Sequence, residues 1–420
     1  MRVLLLGGGG REHAIGWKLV QSPKLDALIS CPGNPGLAEL GLVVPDIDPT
    51  DAAAIIKLVA ANSIDLVIVG PEAPLAAGIA DALTDLGIAV FGPSKAGAQL
   101  EASKSFAKDV MVGAGIPTAS SETFTDATLA KAHLAQTDGP YVVKANGLAA
   151  GKGVLVTESL QDADAWVDEC LEGRFGSPDA SVVIEEYMDG DEVSVFFLCS
   201  DGVAVSFEPA RDYKRLSDGD HGPNTGGMGS YSPVDDLPAD LVEWTTERVA
   251  LPALSELERR GISYTGFLYV GLMLTSDGPR VIEFNVRLGD PETQALMPRL
   301  SSDLLAAIDA ATRGALSYVD LRWTETATVN VVLAADGYPV APRTGDEIDL
   351  GTPTEGSIVF HAGTSRDGDR LLTGGGRVLN VVGTGDTIDE ARMNAYATAA
   401  TIKFTGKHFR TDIGAIRRDS

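Results

Sequence analysis

Residues 281–293 read V-I-E-F-N-V-R-L-G-D-P-E-T, and the strict alternation from Ile282 to Arg287 predicts a strand with two unlike faces. Ile282, Phe284 and Val286 share the apolar face; Glu283, Asn285 and Arg287 project together from the other. Glu283 and Asn285 offer hard oxygen donors of the kind magnesium takes. Arg287 offers a planar fork for phosphate or carboxylate. Asp290, Pro291, Glu292 and Thr293 follow in a proline-stiffened turn that adds two acids. A half-solvated strand with surface charges would show the same pattern, so the rest of the chain must supply a matching site.

Two glycine-rich segments offer places for phosphate. The run Gly7 to Gly10 is no dinucleotide fingerprint, because G-x-G-x-x-G ends on Glu12 or His13 and the next strand closes on Cys31-Pro32 without an acid. What remains is a set of amides, at Gly8, Gly9 and Gly10, entering a helix N-terminus. The loop Gly147 to Gly153 is no Walker motif, since three residues separate Gly147 from Gly151 and Gly153 follows Lys152. It joins the predicted strands Tyr141–Lys144 and Val154–Thr157, so it reads as a flap that could lay amides and Lys152 over phosphates, with Lys144 pointing into the same space. Glu185, Glu186, Tyr187 and Met188, with Glu192 beyond them, lie where this small module rejoins the chain. Backbone groups there suit an adenine edge, and Glu192 suits two ribose hydroxyls; a solvated strand end is the alternative.

The elements that must position these groups fall into an ordered series. Strands Arg2–Leu6, Ala27–Ser30, Leu66–Val69 and Ile88–Phe91 alternate with helices Arg11–Gln21, 51–61 and 75–86, which predicts a parallel doubly wound sheet with ligands at its C-terminal strand ends. Residues 119–187 read as a small flap module. The stretch to about 320 is rich in strands and carries the acidic, glycine-laden loop Leu216 to Gly229. Strands Thr328–Ala334 and Arg377–Val382 and helix Asp389–Ile402 close the chain. A length of 420 residues implies about three domains.

Bulk properties narrow the function. With 33 basic against 59 acidic residues, nucleic acid is excluded as a general partner, because a phosphate backbone needs a basic surface. No apolar run approaches the roughly 20 residues of a membrane span. The opening V-L-L-L-G-G-G-G is too short and glycine-rich for a signal peptide, so a cytoplasmic protein without a membrane partner is expected. Cys31, Cys170 and Cys199 lack any C-x-x-C pair and read as buried thiols. His13 and His408 read as structural, and no histidines have metal-ligand spacing.

Taken in order, Ser103-Lys104, Lys144, the glycine flap, the acidic hinge and Glu283-x-Asn285 resemble the ATP-grasp superfamily. Within it the chain is similar to the phosphoribosylamine–glycine ligase family. The segments that carry this are L-G-G-G-G-R-E-H-A from 6, G-P-E-A-P-L from 70, K-A-N-G-L-A-A-G-K-G from 144, D-G-D-H-G-P-N-T-G-G-M-G from 218, E-F-N-V-R-L-G-D-P-E-T-Q from 283 and the turn 336–339. Departures are Asn146 where the family usually has Asp, His221 where it often has Thr, and Arg211-Asp212-Tyr213 in place of Gln-Asp-His. The strand Phe267 to Leu274 also lacks the extra metal acid that many ATP-grasp relatives carry.

The resemblance implies an α/β and α+β multidomain chain. Residues 1–102 would form a Rossmann-like parallel domain, 103–325 the ATP-grasp fold (flap module 119–187 plus a larger mixed sheet), and 326–420 a small α+β domain. It further implies that ATP, with Mg²⁺ or Mn²⁺ on Glu283 and Asn285, converts glycine to glycyl phosphate, which 5-phosphoribosylamine then attacks. ATP would be held by Lys104, Lys144, Gly147, Gly151, Lys152, Gly153, Glu185, Glu186, Tyr187, Met188 and Glu192. Arg287 and the turn Asp290–Pro291–Glu292–Thr293 are expected at the glycine end. Asp212, Lys214 and the loop Asn224, Thr225, Gly226, Gly227 and Met228 belong to the acceptor side, and Gly8, Gly9, Gly10, Asn34 and Glu72 to the phosphoribosyl group. A monomer is expected. Two other readings stay open: a different ATP-grasp ligase or carboxylase, and a non-catalytic ATP sensor, against which the intact Lys144, Glu283 and Asn285 speak.

Overall fold

A computed structural model describes residues 1–149, 152–175 and 180–415. The first strands do form a parallel sheet, in the order Leu42–Val43, Ala27–Pro32, Arg2–Gly7, Leu66–Val69, Ala89–Phe91. Arg2–Gly7 sits at its centre because Val3, Leu4, Leu5 and Leu6 are apolar on both faces, as a strand covered twice must be. The helix read over 75–86 is two helices, Glu72–Ala77 and Ile79–Thr84, because Gly78 takes a left-handed φ of 94° and breaks the ladder. Helix Lys104–Gly113 starts at a Ser103 cap, whose hydroxyl accepts from the Phe106 amide, and so fixes Lys104 at a helix N-terminus.

The flap module is an antiparallel sheet, Ser121–Phe124, Val182–Glu185, Tyr141–Ala145, Val154–Thr157, covered by helices Ala127–Leu134 and Leu160–Leu171 over its own core of Ala130, Leu134, Val143, Val167 and Ile184. Beside it Val203–Ser206, Asp191–Ser200, Thr265–Thr275 and Gly278–Asn285 make a second antiparallel sheet. Here the alternation read from Ile282 to Arg287 is corrected twice. Opposite Gly271 and Leu272 stand Glu283 and Val281, so Ile282 lies in an irregularity of the register and turns toward the cleft instead of the core. The strand also ends at Asn285, which leaves Val286 and Arg287 in the bend beyond it.

The last sheet runs Arg211–Asp212, Gly229–Ser232, Ala327–Ala334, Arg377–Gly385, Ser357–His361, with helix Ile388–Thr401 packed on it. Its first two strands come from the middle of the chain. The loop between Asp212 and Gly229 is therefore hung from a sheet built mostly by the C-terminal residues. The N-terminal and central sheets share apolar contacts as well: Leu4, Leu6 and Val67 belong to one buried cluster with Val270, Val281 and Phe284.

Phe284, 2% exposed, ties the strand that carries Glu283 and Asn285 to that shared core. Phe284→Ala is expected to cost about 3–5 kcal/mol of stability, measured by denaturant unfolding. A loss below about 1 kcal/mol would mean that this contact does not anchor the strand.

Candidate functional site

One cleft of about 320 Å³ gathers residues from all of these units. The strand Gly278–Asn285 contributes Glu283 and Asn285 from a single face. Arg287 follows in the bend, with Asn285 Oδ1 3.4 Å from its Nη2. Gly271 stands opposite Glu283 on the neighbouring strand, so no carboxylate comes from there. Among the described residues no group of three metal-type side chains occurs. Two hard oxygen donors on one wall fit a magnesium-type ion that takes its remaining ligands from water and phosphate oxygens.

Lysines face that strand across the cleft. Lys104 Nζ donates to the Gly147 carbonyl at 3.0 Å and so touches the start of the flap; burial lowers its pKa, with Glu283 acting in the opposite sense. Lys144 Nζ lies 2.8 Å from Glu185 Oε2, both groups buried. Lys152 reaches across to the Pro339 carbonyl at 2.9 Å, so the flap meets the turn at 336–339. Gly147 and Gly153 line the cleft, while Gly151 lies outside the described residues. Of the hinge, Glu185 enters the cleft. Glu186 points elsewhere, accepting from Ser120 and from Arg280 at 2.8 and 2.9 Å, and Arg280 first among these holds it down to about 2. Tyr187 is half exposed and Met188 is buried.

Elsewhere in the cleft Lys214 sits between Glu192 Oε2 (2.8 Å) and Asp212 Oδ1 (2.9 Å). Its charge survives burial because these two carboxylates outweigh the desolvation. Lys214 also lowers the pKa of Glu192, whereas burial raises that of Asp212. The loop beyond is braced by its own bonds: Thr225 Oγ1 donates to the Lys214 carbonyl at 2.8 Å, and the Gly227 amide donates to Thr225 Oγ1 at 3.0 Å. Asn224 pairs with Arg215 in a short ribbon, and Met228 is buried. Thr225 and Gly226 reach the cleft.

The turn after the strand is held from three directions. Arg377 donates to the carbonyls of Gly226 and Asp290, the latter at 2.7 Å, and lies 3.3 Å from Asp290 Oδ1. Burial works against the Asp290 charge, but Arg377 and Arg11 more than offset it. The Pro291 carbonyl accepts from Ser230 Oγ (2.8 Å) and Asn330 Nδ2 (3.0 Å), and Thr293 Oγ1 donates back to Gly289. Glu292 faces the cleft, 3.3 Å from Ser194 Oγ; burial first, then Asp212, raises it to about 7. Pro291 and Thr293 thus build the turn, and Asp290 and Glu292 face the cleft.

Arg287 is already engaged: Nη2 lies 2.8 Å from Glu101 Oε1 and Nε 3.4 Å from Glu72 Oε2. Asn34 is spent on the fold, donating to the carbonyls of Gly8 and His361 at 2.9 Å each while its Oδ1 accepts from the Leu37 amide. The Gly9 amide donates to Glu12 Oε2 at 2.7 Å, and a Cβ on Gly10 would collide with the Asn380 and Gln294 amides. Gly8, Gly9, Gly10 and Asn34 therefore border the cleft wall rather than line it.

Sequence reasoning did not find Lys108, Arg11, Glu101 or Arg377, all of which line the cleft. Only Lys108 had a usable signal, one helical turn beyond Lys104. At the departure Asn146, Nδ2 donates to Ser105 Oγ (3.0 Å) and Ser181 Oγ (2.9 Å) while Oδ1 accepts from the Ser105 amide (3.0 Å); a carboxylate there would have to accept from both hydroxyls instead. Arg211 likewise has structural partners in Asp236 (2.7 Å) and the Tyr231 hydroxyl (3.0 Å). Cys31, Cys170 and Cys199 are buried free thiols.

The same three-part organisation is found in known proteins. The chain matches the phosphoribosylglycinamide synthetase N domain over residues 1–101, its ATP-grasp (A) domain over 102–293 and its C domain over 328–416. A phosphoribosylamine–glycine ligase of Mesorhizobium japonicum is 48% identical, with 99% of this chain and 98% of that one covered. The enzyme of that name from Streptomyces coelicolor is 46% identical, with 99% of each covered. The crystal structure of the phosphoribosylamine–glycine ligase from Thermotoga maritima superposes with a TM-score of 0.86 at 37% identity, covering 98% of this chain and all of the other. A biotin carboxylase from Campylobacter jejuni shares the fold at a TM-score of 0.74 and 15% identity, over 97% of this chain and 92% of that one. With full-length relatives near half identity and every domain matched in order, the chain belongs to the phosphoribosylglycinamide synthetase family.

Proposed function

We propose that the chain is a phosphoribosylamine–glycine ligase that joins glycine to 5-phosphoribosylamine with cleavage of ATP to ADP and phosphate, and that the cleft described above carries the whole reaction. The supporting observation is the convergence of Lys104, Lys144, the flap, Glu283, Asn285 and Arg287 with Asp212 and Lys214 on one cleft.

A carboxylate is a poor acyl donor, so its oxygen must first be phosphorylated. Phosphoryl transfer needs in-line positioning and charge neutralisation more than covalent help from the protein. Lys104 and Lys144 supply positive charge for the ATP phosphates, and Gly147, Lys152 and Gly153 close over them. The backbone beside Glu185 is assigned to the adenine and Glu192 to the ribose. Glu283 and Asn285 would hold a magnesium or manganese ion, which neutralises phosphate charge when bound. Arg287, fixed by Glu101 and Glu72, is placed for the glycine carboxylate and the acyl phosphate formed from it, with Asp290 and Glu292 available to the glycine ammonium. The sugar amine then attacks the acyl carbon, phosphate leaves, and the amine gives up a proton. Glu292, whose burial keeps its affinity for a proton high, is our candidate acceptor; Asp212 and Lys214 orient the sugar beside it. Closure of the flap onto the turn at 336–339 would exclude water, which otherwise hydrolyses an acyl phosphate.

The experiment is ADP formation with glycine and phosphoribosylamine omitted in turn. Sustained turnover should require both, and Glu283→Ala should reduce kcat/KM on the order of 10²–10³-fold. ADP release independent of both substrates, or untouched by the substitution, contradicts the proposal. The pH profile tests Glu292. A carboxyl raised to about 7 is protonated below that value and cannot accept a proton, so kcat should fall as the pH drops through 7. Glu292→Gln should lower kcat about 10²-fold or more and abolish that limb; an unchanged acid limb in the variant would remove Glu292 from the role.

A further inference from the structure

Lys108 belongs to none of the motifs that mark the site, yet its ammonium sits against the cleft. Nζ donates to Thr118 Oγ1 at 2.8 Å and to the Ala119 carbonyl at 3.1 Å, and lies 3.3 Å from Glu185 Oε2. The same oxygen receives Lys144 Nζ at 2.8 Å. Lys108, Lys144 and Glu185 are 6%, 6% and 7% exposed, so two cations share one carboxylate oxygen almost out of contact with solvent.

That arrangement has a consequence for any anion that recruits Lys144. If Lys144 turned to a phosphate and nothing else faced Glu185, an unpaired carboxylate would stay buried, at a large free-energy cost. Lys108 removes that cost. It is tethered by two neutral acceptors on 118–119, so it stays with Glu185 when Lys144 leaves. We propose that Lys108 is a positioning residue that keeps Glu185 paired when Lys144 engages the phosphates of a nucleoside triphosphate, and thereby sets the affinity of the site for ATP. This rests on the reading of Lys144 as a phosphate ligand.

The surroundings also predict a pH dependence. Glu185 and Lys144 face Lys108 from the flap-module sheet, and Arg280, held by Glu186, faces it from the strand Gly278–Asn285. Burial lowers its pKa to about 8, with Glu185 opposing the fall and Lys144 adding to it. Lys108 is therefore charged below about pH 8 and loses its charge as the pH rises through that value.

The test is titration calorimetry of a non-hydrolysable ATP analogue with magnesium on the full chain, with the melting temperature of each variant recorded without nucleotide. Lys108→Met should weaken binding about tenfold at pH 7, and Lys108→Met with Glu185→Gln should recover most of that loss because the stranded anion is gone. Wild-type affinity should decline above pH 8 toward that of Lys108→Met. Binding by Lys108→Met within about twofold of wild type, or a double variant no better than the single one, overturns the inference. Lys144→Met distinguishes the two levels, since unchanged affinity there refutes the phosphate role of Lys144 itself. If Lys108→Met does not fold, Lys108→Arg takes its place: its guanidinium stays protonated, so its affinity should hold to pH 9 while that of the wild type falls. A wild-type profile flat from pH 7 to 9 overturns the inference.

Discussion

A buried cation needs an anion, and that constraint organises the cleft. Lys144 and Lys108 lean on Glu185, Lys214 on Asp212 and Glu192, Arg287 on Glu101 and Glu72, and Arg377 on Asp290. A chain with 59 acidic and 33 basic residues has carboxylates to spare for this purpose. The pairing preorganises the donors, and it means that an incoming polyanion must exchange partners rather than fill an empty socket. Lys104, whose ammonium donates to the neutral Gly147 carbonyl, is the exception.

The sheet that closes the chain matters as much to the site as the strand that carries Glu283. Asp212 pairs opposite Ser230, and Tyr231 opposite Val329, so the loop between Asp212 and Gly229 is mounted on residues that arrive about a hundred positions later. Arg377 and the Tyr338 hydroxyl then pin Gly226 from above, the latter by accepting its amide at 2.9 Å. Asn330 fixes the Pro291 carbonyl from the same sheet. The result is that the C-terminal residues set the separation between the turn 290–293 and the loop 224–228.

Much of this was legible in the residues. The parallel sheet followed from apolar runs between helices, and Glu283 and Asn285 do share a face, because a period of two is hard to mistake. Local patterns failed where a neighbour intervened. Alternation puts Ile282 on the apolar face, but the register irregularity against Gly271 and Leu272 turns it into the cleft. The same alternation runs to Arg287, but the pairing stops two residues earlier. The Asn34 amide meets the carbonyls of Gly8 and His361, and no local signal announces a partner 327 residues away. Arg377 was invisible for the same reason: its importance lies in what lies across from it.

The claim on which the rest depends is that the cleft activates glycine as an acyl phosphate and holds it for the sugar amine. The most direct measurement uses glycine labelled with ¹⁸O in both carboxylate oxygens and follows the label by mass spectrometry of the released phosphate. One labelled oxygen should pass from each glycine to phosphate, and the other should stay in the amide. Phosphate released without label, from turnover that still forms the amide, would contradict the account.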